Sequence, residues 1–376
     1  MGQGSSERSV CEFFVPDREA REPLLLPLAR PPKALAPGLR SRSAPEPVQE
    51  LPMQELNVLW ARRYVEDIAA RSEVLVNSPE AQAPEDLAIP DLRRQIVTKL
   101  SRELPFATSR ALNSVQELLA QEILRQGIDP SHIDPWQIAA HSRSLLELVL
   151  DNFCQGHMPE HLSAKGSRAF GEVRRHYVQT DGRVLGFFSL QLHRTSLDLL
   201  SHLLPYERTY IGPFLKVMDD HINIPLQAAY DAAARHDYNS PALLAVRALL
   251  PLSSSVASQV FAGVRRKYPL YRSYSGSLRD MAVGASSLRD IEMFLVYLCL
   301  CVLEQDTRSI QQELFPLCVM LYPALQVDWE LVQEMLWQIV QQLSESLTSQ
   351  QIDVFSPYLK LLTQLFSIDV LKPLAE

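Results

Sequence analysis

The sequence predicts an all-α protein. Apolar residues recur at spacings of three and four along most of its length, and the first such stripe consists of Leu56, Leu59, Trp60, Tyr64 and Ile68. Residue types that begin and end helices fall between the stripes. No internal repeat with a period of about 20 to 50 residues is visible, which argues against a solenoid.

The first 53 residues differ in composition from the rest. They contain nine prolines among mixed charges, and proline lacks the N–H group that helix interiors and central strands need. We therefore predict a disordered, Pro-rich arm over residues 1–53.

The sequence of residues 54–204 predicts a mostly helical domain of unknown type. Gly127 and Gly156 each end a helix, and Asp134-Pro135 begins the helix between them with an N-cap and a first-turn residue. One stretch, residues 177–185, has an alternative, because an Asp-Gly pair within it also suits a tight turn between two short strands.

The sequence of residues 205–376 predicts a second helical domain. Ser240-Pro241 supplies an N-cap and a first-turn proline there. The predicted helices cover residues 226–234, 241–250, 256–267, 286–304, 310–321, 329–347 and 354–366.

Charge and cysteine content exclude several classes of protein. The chain has 36 basic and 44 acidic residues and a net charge of −8, which disfavours binding to nucleic acid through a basic face. Its five cysteines are odd in number and irregular in spacing, which indicates a reducing compartment. The longest apolar run, residues 293–303, is about half a membrane span, and no signal peptide precedes it. We expect a cytoplasmic protein without a membrane span.

No sequence motif indicates an enzyme. The chain lacks a Gly-rich phosphate loop, a Gly-x-Ser-x-Gly elbow and a His-Glu-x-x-His motif. Cys154, His157 and His161 have a metal-like spacing, but zinc needs a fourth ligand, and Gly156 and Pro159 interrupt the helix that would align them. We predict surface or capping histidines and no metal.

Asp219-Asp220-His221 is the other charged cluster. Carboxylates beside a histidine suit acid/base chemistry. Neighbours on a helix point about 100° apart, however, so at most one carboxylate shares a direction with the histidine. We favour a solvated linker face or an interdomain ion pair.

Three cysteines lie within apolar helical runs: Cys299, Cys301 and Cys318. A free cysteine in such a setting behaves as a small hydrophobic residue. Cys299 and Cys301 point about 200° apart on a helix and cannot clamp one metal. We predict that all three belong to the core.

A more specific pattern begins in the second half of the chain. Its motifs are Leu-Leu-Ala-Val-Arg-Ala-Leu at residues 243–249, Val-Arg-Arg-Lys-Tyr-Pro-Leu-Tyr at 264–271 and Ser-Leu-Arg-Asp-Ile-Glu at 287–292. Their order and spacing resemble those of the phycobiliproteins, whose bilin-bearing helix reads Cys-Leu-Arg-Asp-Ile-Asp. The resemblance covers roughly residues 225–371 and implies a globin-like, phycobiliprotein-type domain in a cyanobacterial protein.

Ser287 stands where that family has its chromophore-linking cysteine. A serine hydroxyl is a far weaker nucleophile at neutral pH than a thiolate, so no covalent bilin is expected. The resemblance implies that Arg289 contacts a bilin propionate and Asp290 the pyrrole nitrogens. Both could still hold an unlinked bilin through charge-assisted hydrogen bonds. We favour the alternative, in which they are inherited helix-start residues, with Asp290 near the positive end of the helix dipole.

The retained fold and the missing thiol together predict a change of role. Phycobiliproteins pair and stack into rods and cores, so the resemblance implies docking on phycobiliprotein or other antenna subunits, or self-association, at the thylakoid-facing phycobilisome. We predict a non-pigmented protein that acts in assembly, attachment or regulation of the antenna. The alternatives are a non-covalent bilin sensor or carrier that uses Arg289 and Asp290, and an enzyme of bilin attachment or turnover that uses His157 and His161.

Overall fold

The structure is a computed structural model that describes residues 50–75, 88–367 and 369–371. The predicted arm lies outside these residues except for its last part, residues 50–53, which already belongs to a helix. Pro52 is accommodated there because the N–H groups of a first helical turn have no partner within the helix.

The described residues are almost entirely helical, which confirms the predicted all-α class. The helices are α1 (Glu50–Leu75), α2 (Ile89–Arg125), α3 (Pro135–Cys154), α4 (Pro159–Thr180), α5 (Gly182–Ser201), α6 (Pro205–Asn223), α7 (Leu226–Ala233), α8 (Pro241–Leu249), α9 (Ser253–Lys267), α10 (Met281–Glu304), α11 (Phe315–Ala324), α12 (Trp329–Ser346) and α13 (Ser349–Leu365). Short 3₁₀ turns occur at Pro130–His132 and Leu250–Leu252, and a π-helical turn, Ser309–Leu314, precedes α11.

A small hairpin joins α9 to α10. Its strands β1 (Arg272–Ser273) and β2 (Gly276–Ser277) are antiparallel, with Arg272 opposite Ser277. Gly276 has φ of 132°, a backbone conformation that favours glycine.

The alternative of a hairpin at residues 177–185 is wrong. Helix α4 continues to Thr180 and α5 begins at Gly182. Asp181 between them is extended, and its carboxylate accepts a hydrogen bond from the backbone N–H of Arg183 at 2.9 Å. The Asp-Gly pair is therefore a helix N-cap followed by the first helical residue.

Helix α10 forms the centre of the carboxyl-terminal half. Every residue from Ile291 to Leu303 is buried, and the helix packs against α7, α8, α9 and α13. A helix that is apolar on all faces must be covered on all sides. This explains why the sequence here has apolar residues at consecutive positions and not only at spacings of three and four.

Contacts also join the two predicted domains. Helix α5 packs on α11, α4 packs on α6 and α7, and α1 packs on α7. The described residues belong to one compact unit with one apolar core. The boundary near residue 204 remains a prediction.

One stretch, Pro241–Lys267, is long and apolar enough by composition to cross a membrane, but half of its most apolar part is buried within the protein. In the structure it comprises α8, a 3₁₀ turn and α9. Core helices of globular proteins have the same composition, so the stretch is weak evidence for a membrane span.

Candidate functional site

Ser287, Arg289 and Asp290 lie together in the amino-terminal half of α10, and all three are half-buried. The Ser287 hydroxyl donates a hydrogen bond to the backbone carbonyl of Val283 at 2.8 Å. It therefore bonds to its own helix.

Arg289 is held by two carboxylates. Its Nη1 donates to Oδ2 of Asp219 at 2.7 Å, and its Nη2 and Nε donate to Oδ1 of Asp290 at 2.9 and 3.2 Å. Helix α6 supplies Asp219, so this contact joins α6 to α10. Charge-assisted bonds of this kind are among the stronger hydrogen bonds in proteins.

A third helix completes the cluster around Asp219. Nδ1 of His193, on α5, lies 3.2 Å from Oδ1 of Asp219, and the Asn223 amide donates to the backbone carbonyl of Asp219 at 2.8 Å. Sequence reasoning treated Asp219 and Arg289 separately and missed His193. Their partnership depends on helix packing across many residues, and no local spacing could have revealed it.

Burial and neighbouring charge compete in this cluster. Burial disfavours the charge on Asp219, but Arg289 first and then His193 outweigh it and hold the pKa of Asp219 well below its ordinary value. Burial likewise opposes the charge on Arg289, yet Asp219 and Asp290 hold the pKa of Arg289 above its ordinary value. For Asp290 burial prevails, and its pKa is raised despite the adjacent Arg289.

A small cavity opens beside this cluster. Its polar lining includes His193, Asn223, Arg289 and Asp290, and Leu321 and Tyr322 of α11 form part of its apolar lining. The cavity measures about 50 Å³, whereas sites for small organic ligands typically span roughly 300–1,000 Å³. In this arrangement the cavity does not fit a tetrapyrrole, because Asp219 and Asp290 bind the guanidinium and α11 occupies the adjacent space.

The other members of the Asp219-Asp220-His221 cluster point to separate partners. Oδ2 of Asp220 accepts hydrogen bonds from the Tyr64 hydroxyl at 2.9 Å and from Lys216 Nζ at 2.7 Å. Nε2 of His221 lies 2.9 Å from the Ser163 hydroxyl. Asp220 and His221 are both buried, so the interpretation as a solvated linker face is wrong.

A second buried polar contact ties α1 to α10. Arg63 of α1 forms an ion pair with Glu292, which also accepts a hydrogen bond from Ser254 at 3.1 Å. The Arg63 guanidinium lies 4.1 Å from the ring centroid of Trp60. Arg63 was not singled out from the sequence, because an arginine in an amphipathic helix normally faces solvent.

The predicted metal-like and cysteine clusters have ordinary environments. The rings of His157 and His161 lie 4.1 Å apart, and Cys154 is exposed. Among the residues that the structure describes, no three His, Cys, Asp or Glu side chains are grouped to hold a metal ion.

The three core cysteines are buried, which confirms their predicted place. Burial raises the pKa of all three thiols above the ordinary value, that of Cys301 to about 11. A buried thiol with a raised pKa is unreactive, so Cys299, Cys301 and Cys318 do not replace the thiol absent at Ser287.

Comparison with known proteins identifies one family. No curated protein and no solved structure matches the chain. The family model described as "Phycobilisome protein" matches residues 218–365, a range that contains α10 with Arg289 and Asp290 and that agrees with the predicted resemblance. The match indicates a role in the light-harvesting antenna, and it covers residues 218–365, which we call the family region.

Proposed function

We propose that this protein is a non-pigmented component of the phycobilisome system that docks on antenna subunits and acts in their assembly, attachment or regulation. The family that residues 218–365 match is a structural, light-harvesting family and not an enzymatic one. Its partners would be phycobiliprotein or other antenna subunits, or a second copy of this chain, at the thylakoid-facing side of the cytoplasm.

The main observation in support of this function is that Arg289 is already bound by carboxylates of its own chain. Two carboxylates from this chain bind the guanidinium, and the neighbouring cavity of about 50 Å³ is far smaller than a pigment site. The helices of the family region are nevertheless kept. A fold that is retained without room for its ligand supports a role in protein interaction, although fold alone does not determine function.

The pigment question is tested first, by an absorption spectrum of the full chain after co-expression with the enzymes of bilin synthesis. We expect no visible band from wild type. Asp219→Asn removes the charge that engages Arg289 and is the matched variant, and because the cavity remains small we expect no band from it either. A band that is lost on denaturation and weakened in Arg289→Ala/Asp290→Ala would establish the sensor or carrier function and contradict the proposal.

Docking is tested with the full chain and purified antenna subunits in size-exclusion chromatography with light scattering. We expect a complex with at least one phycobiliprotein subunit or a stable homo-oligomer. A folded, colourless protein that remains monomeric with every subunit of the antenna would contradict it.

The enzyme alternative has a separate test. His157→Gln/His161→Gln changes two partly exposed side chains and should leave antenna docking unchanged. Loss of a bilin attachment or turnover activity in this variant would instead favour an enzyme.

A further inference from the structure

The segment that joins α9 to α10, residues 268–280, and the first residue of α10, Met281, display apolar side chains to solvent. We name residues 268–281 the hairpin loop. Leu270, just before β1, is 86% exposed, and Met281, at the start of α10, is 92% exposed, the largest value among the large apolar residues described. Tyr274 at the tip is 52% exposed.

The hairpin loop is held firmly by the rest of the protein. The Tyr271 hydroxyl donates to the backbone carbonyl of Gln326 at 3.0 Å and accepts from the backbone N–H of Asp328 at 2.8 Å. Leu278 is buried, and the backbone N–H of Tyr274 donates to the carbonyl of Leu325 at 2.9 Å. The exposed side chains are therefore presented by a fixed scaffold, which lowers the entropy lost on binding.

The charge of this region is opposite to that of the chain. The protein carries a net charge of −8, yet residues 265–281 contain five exposed basic side chains, Arg265, Arg266, Lys267, Arg272 and Arg279, against one acidic residue, Asp280. Lys267 pairs with Glu334, and Asp280 accepts a hydrogen bond from the backbone of Ser277. Within the described part of the chain, no ion pair engages any of the four arginines.

Packing places the end of α9 next to the start of α10. The ring of Phe261, on α9, lies 5.7 Å from the Arg265 guanidinium. The same ring lies 3.6 Å from the position that a Cβ would take at Gly284, one helical turn after Met281. The end of α9, with its basic residues, and the start of α10, with Met281, are therefore adjacent, and the hairpin loop connects them.

We propose that the hairpin loop binds the surface of a membrane that contains anionic lipids, with Leu270 and Met281 entering the headgroup region and the arginines contacting lipid phosphates. Basic residues near an anionic leaflet and inserted apolar side chains are the two contributions that hold proteins on such surfaces. A stable protein interface needs about 800 Å² per partner, and two isolated side chains on a narrow hairpin suit a deformable lipid surface better. The proposal does not depend on the antenna role.

The test is co-flotation of the full chain with vesicles of phosphatidylcholine mixed with phosphatidylglycerol, and with vesicles of phosphatidylcholine alone. We expect binding to the anionic vesicles that weakens with added salt, because screening shortens the range of the attraction. Arg266→Gln/Arg272→Gln should weaken the partition coefficient by about fivefold for each arginine removed. Leu270→Ser/Met281→Ser should weaken it by about tenfold or more.

Two control variants remove the same types of side chain from surfaces outside the hairpin loop. Arg102→Gln/Arg168→Gln deletes two exposed arginines, and Leu124→Ser/Trp136→Ser deletes two exposed apolar side chains. All the substituted side chains are exposed, so each variant should keep the wild-type circular dichroism spectrum, and both controls should float like wild type.

Three outcomes would overturn the lipid assignment. The first is that folded wild type does not float at low salt, and the second is that it binds neutral and anionic vesicles equally. The third is that the control variants lose as much flotation as the hairpin-loop variants. If the hairpin-loop variants no longer bind an antenna subunit that wild type binds, and wild type does not co-float with any vesicle, the loop is a protein interface. Normal flotation without any antenna complex would contradict the proposed function alone.

Discussion

Arg289 has a carboxylate of its own chain on each side of its guanidinium. A buried charge is tolerated when neighbouring groups of opposite sign compensate for the hydration it loses. The side chains of Arg289 and Asp219 retain only 13% and 18% of their exposure. Removing the cation therefore leaves the Asp219 carboxylate with His193 and a long hydrogen bond from Asn223, and Asp290 without a counter-ion.

We predict that Arg289→Met lowers the free energy of unfolding by about 3 kcal/mol, because one charge of a buried pair is left uncompensated. Urea denaturation monitored by circular dichroism measures this change. Arg289→Met/Asp219→Asn removes both partners and should recover part of the loss. Equal stability of wild type and Arg289→Met would show that the cluster is solvated in solution.

His221 gives the protein a dependence on pH. Burial lowers the pKa of His221 to about 4 from an ordinary value of 6.5, so the unfolded chain takes up this proton at a higher pH than the folded protein does. Stability should therefore fall as the pH drops from about 6.5 to about 4, by on the order of 3 kcal/mol from this residue.

His221→Gln keeps a polar partner for Ser163 but cannot titrate, so we predict a flatter decline of the unfolding free energy over that pH range. The decline should not vanish, because burial and then His176 also lower the pKa of His141. Urea midpoints at pH 6.5 and 4.5 measure the slope. His161→Gln is the control, and an equal flattening by that variant would contradict the assignment to His221.

At the scale of elements, the start of α5 approaches the π-helical turn before α11 very closely. A Cβ placed on Gly182 would lie 2.5 Å from the backbone carbonyl oxygen of Gln312 and 3.2 Å from the Cα of Glu313. Backbone cannot rotate away as a flexible side chain can, so glycine is required at this contact.

We predict that Gly182→Ala lowers the free energy of unfolding by about 1–3 kcal/mol, because the two elements must separate. Gly284→Ala is the matched control, since its Cβ would meet only the Phe261 ring at an ordinary 3.6 Å. That change should stabilise α10 by up to about 1 kcal/mol through helix propensity. The thermal unfolding midpoints of Gly182→Ala and Gly284→Ala measure these effects. Similar midpoints for the two variants would contradict the close contact at Gly182.

The same region shows how far the sequence could predict the elements. Helix ends at Gly127, Gly156 and Ser240 were predictable, because caps are local. An Asp-Gly pair alone suits both a strand turn and a helix start, and at Asp181 only the buried faces of α4 and α5 decide between them. Helix α10 begins at Met281, earlier than the predicted residue 286. In its first turn Met281 and Ala282 are exposed and Val283 is buried, so this turn shows no apolar stripe.

The candidate site was predictable only in part. Arg289 and Asp290 could be found from the family pattern, because they are neighbours in sequence. Asp219 and His193 reach them from two other helices, and Arg63 meets Glu292 from the opposite end of the chain. Such pairings follow from tertiary packing, which no periodicity encodes.

At the scale of the whole molecule, residues before 205 cover the family region on several faces. Helix α5 lies on α11, α4 lies on α6 and α7, and α1 lies on α7. Two buried carboxylates of the family region, Asp220 and Glu292, take partners from α1, namely Tyr64 and Arg63. The added helices therefore complete the core of the region to which they are attached.

We predict that a fragment of residues 205–376 does not fold cooperatively by itself. It would expose the apolar faces that α1, α4 and α5 cover and would leave Asp220 and Glu292 without two of their partners, and both changes favour the unfolded chain. Residues 50–376 are the matched control and should unfold in one cooperative transition. Circular dichroism and urea denaturation of the two fragments provide the measurement. A cooperative transition in residues 205–376 would instead establish an independent domain that begins near residue 205, and the contacts of α1, α4 and α5 would then be those of an interface between two domains.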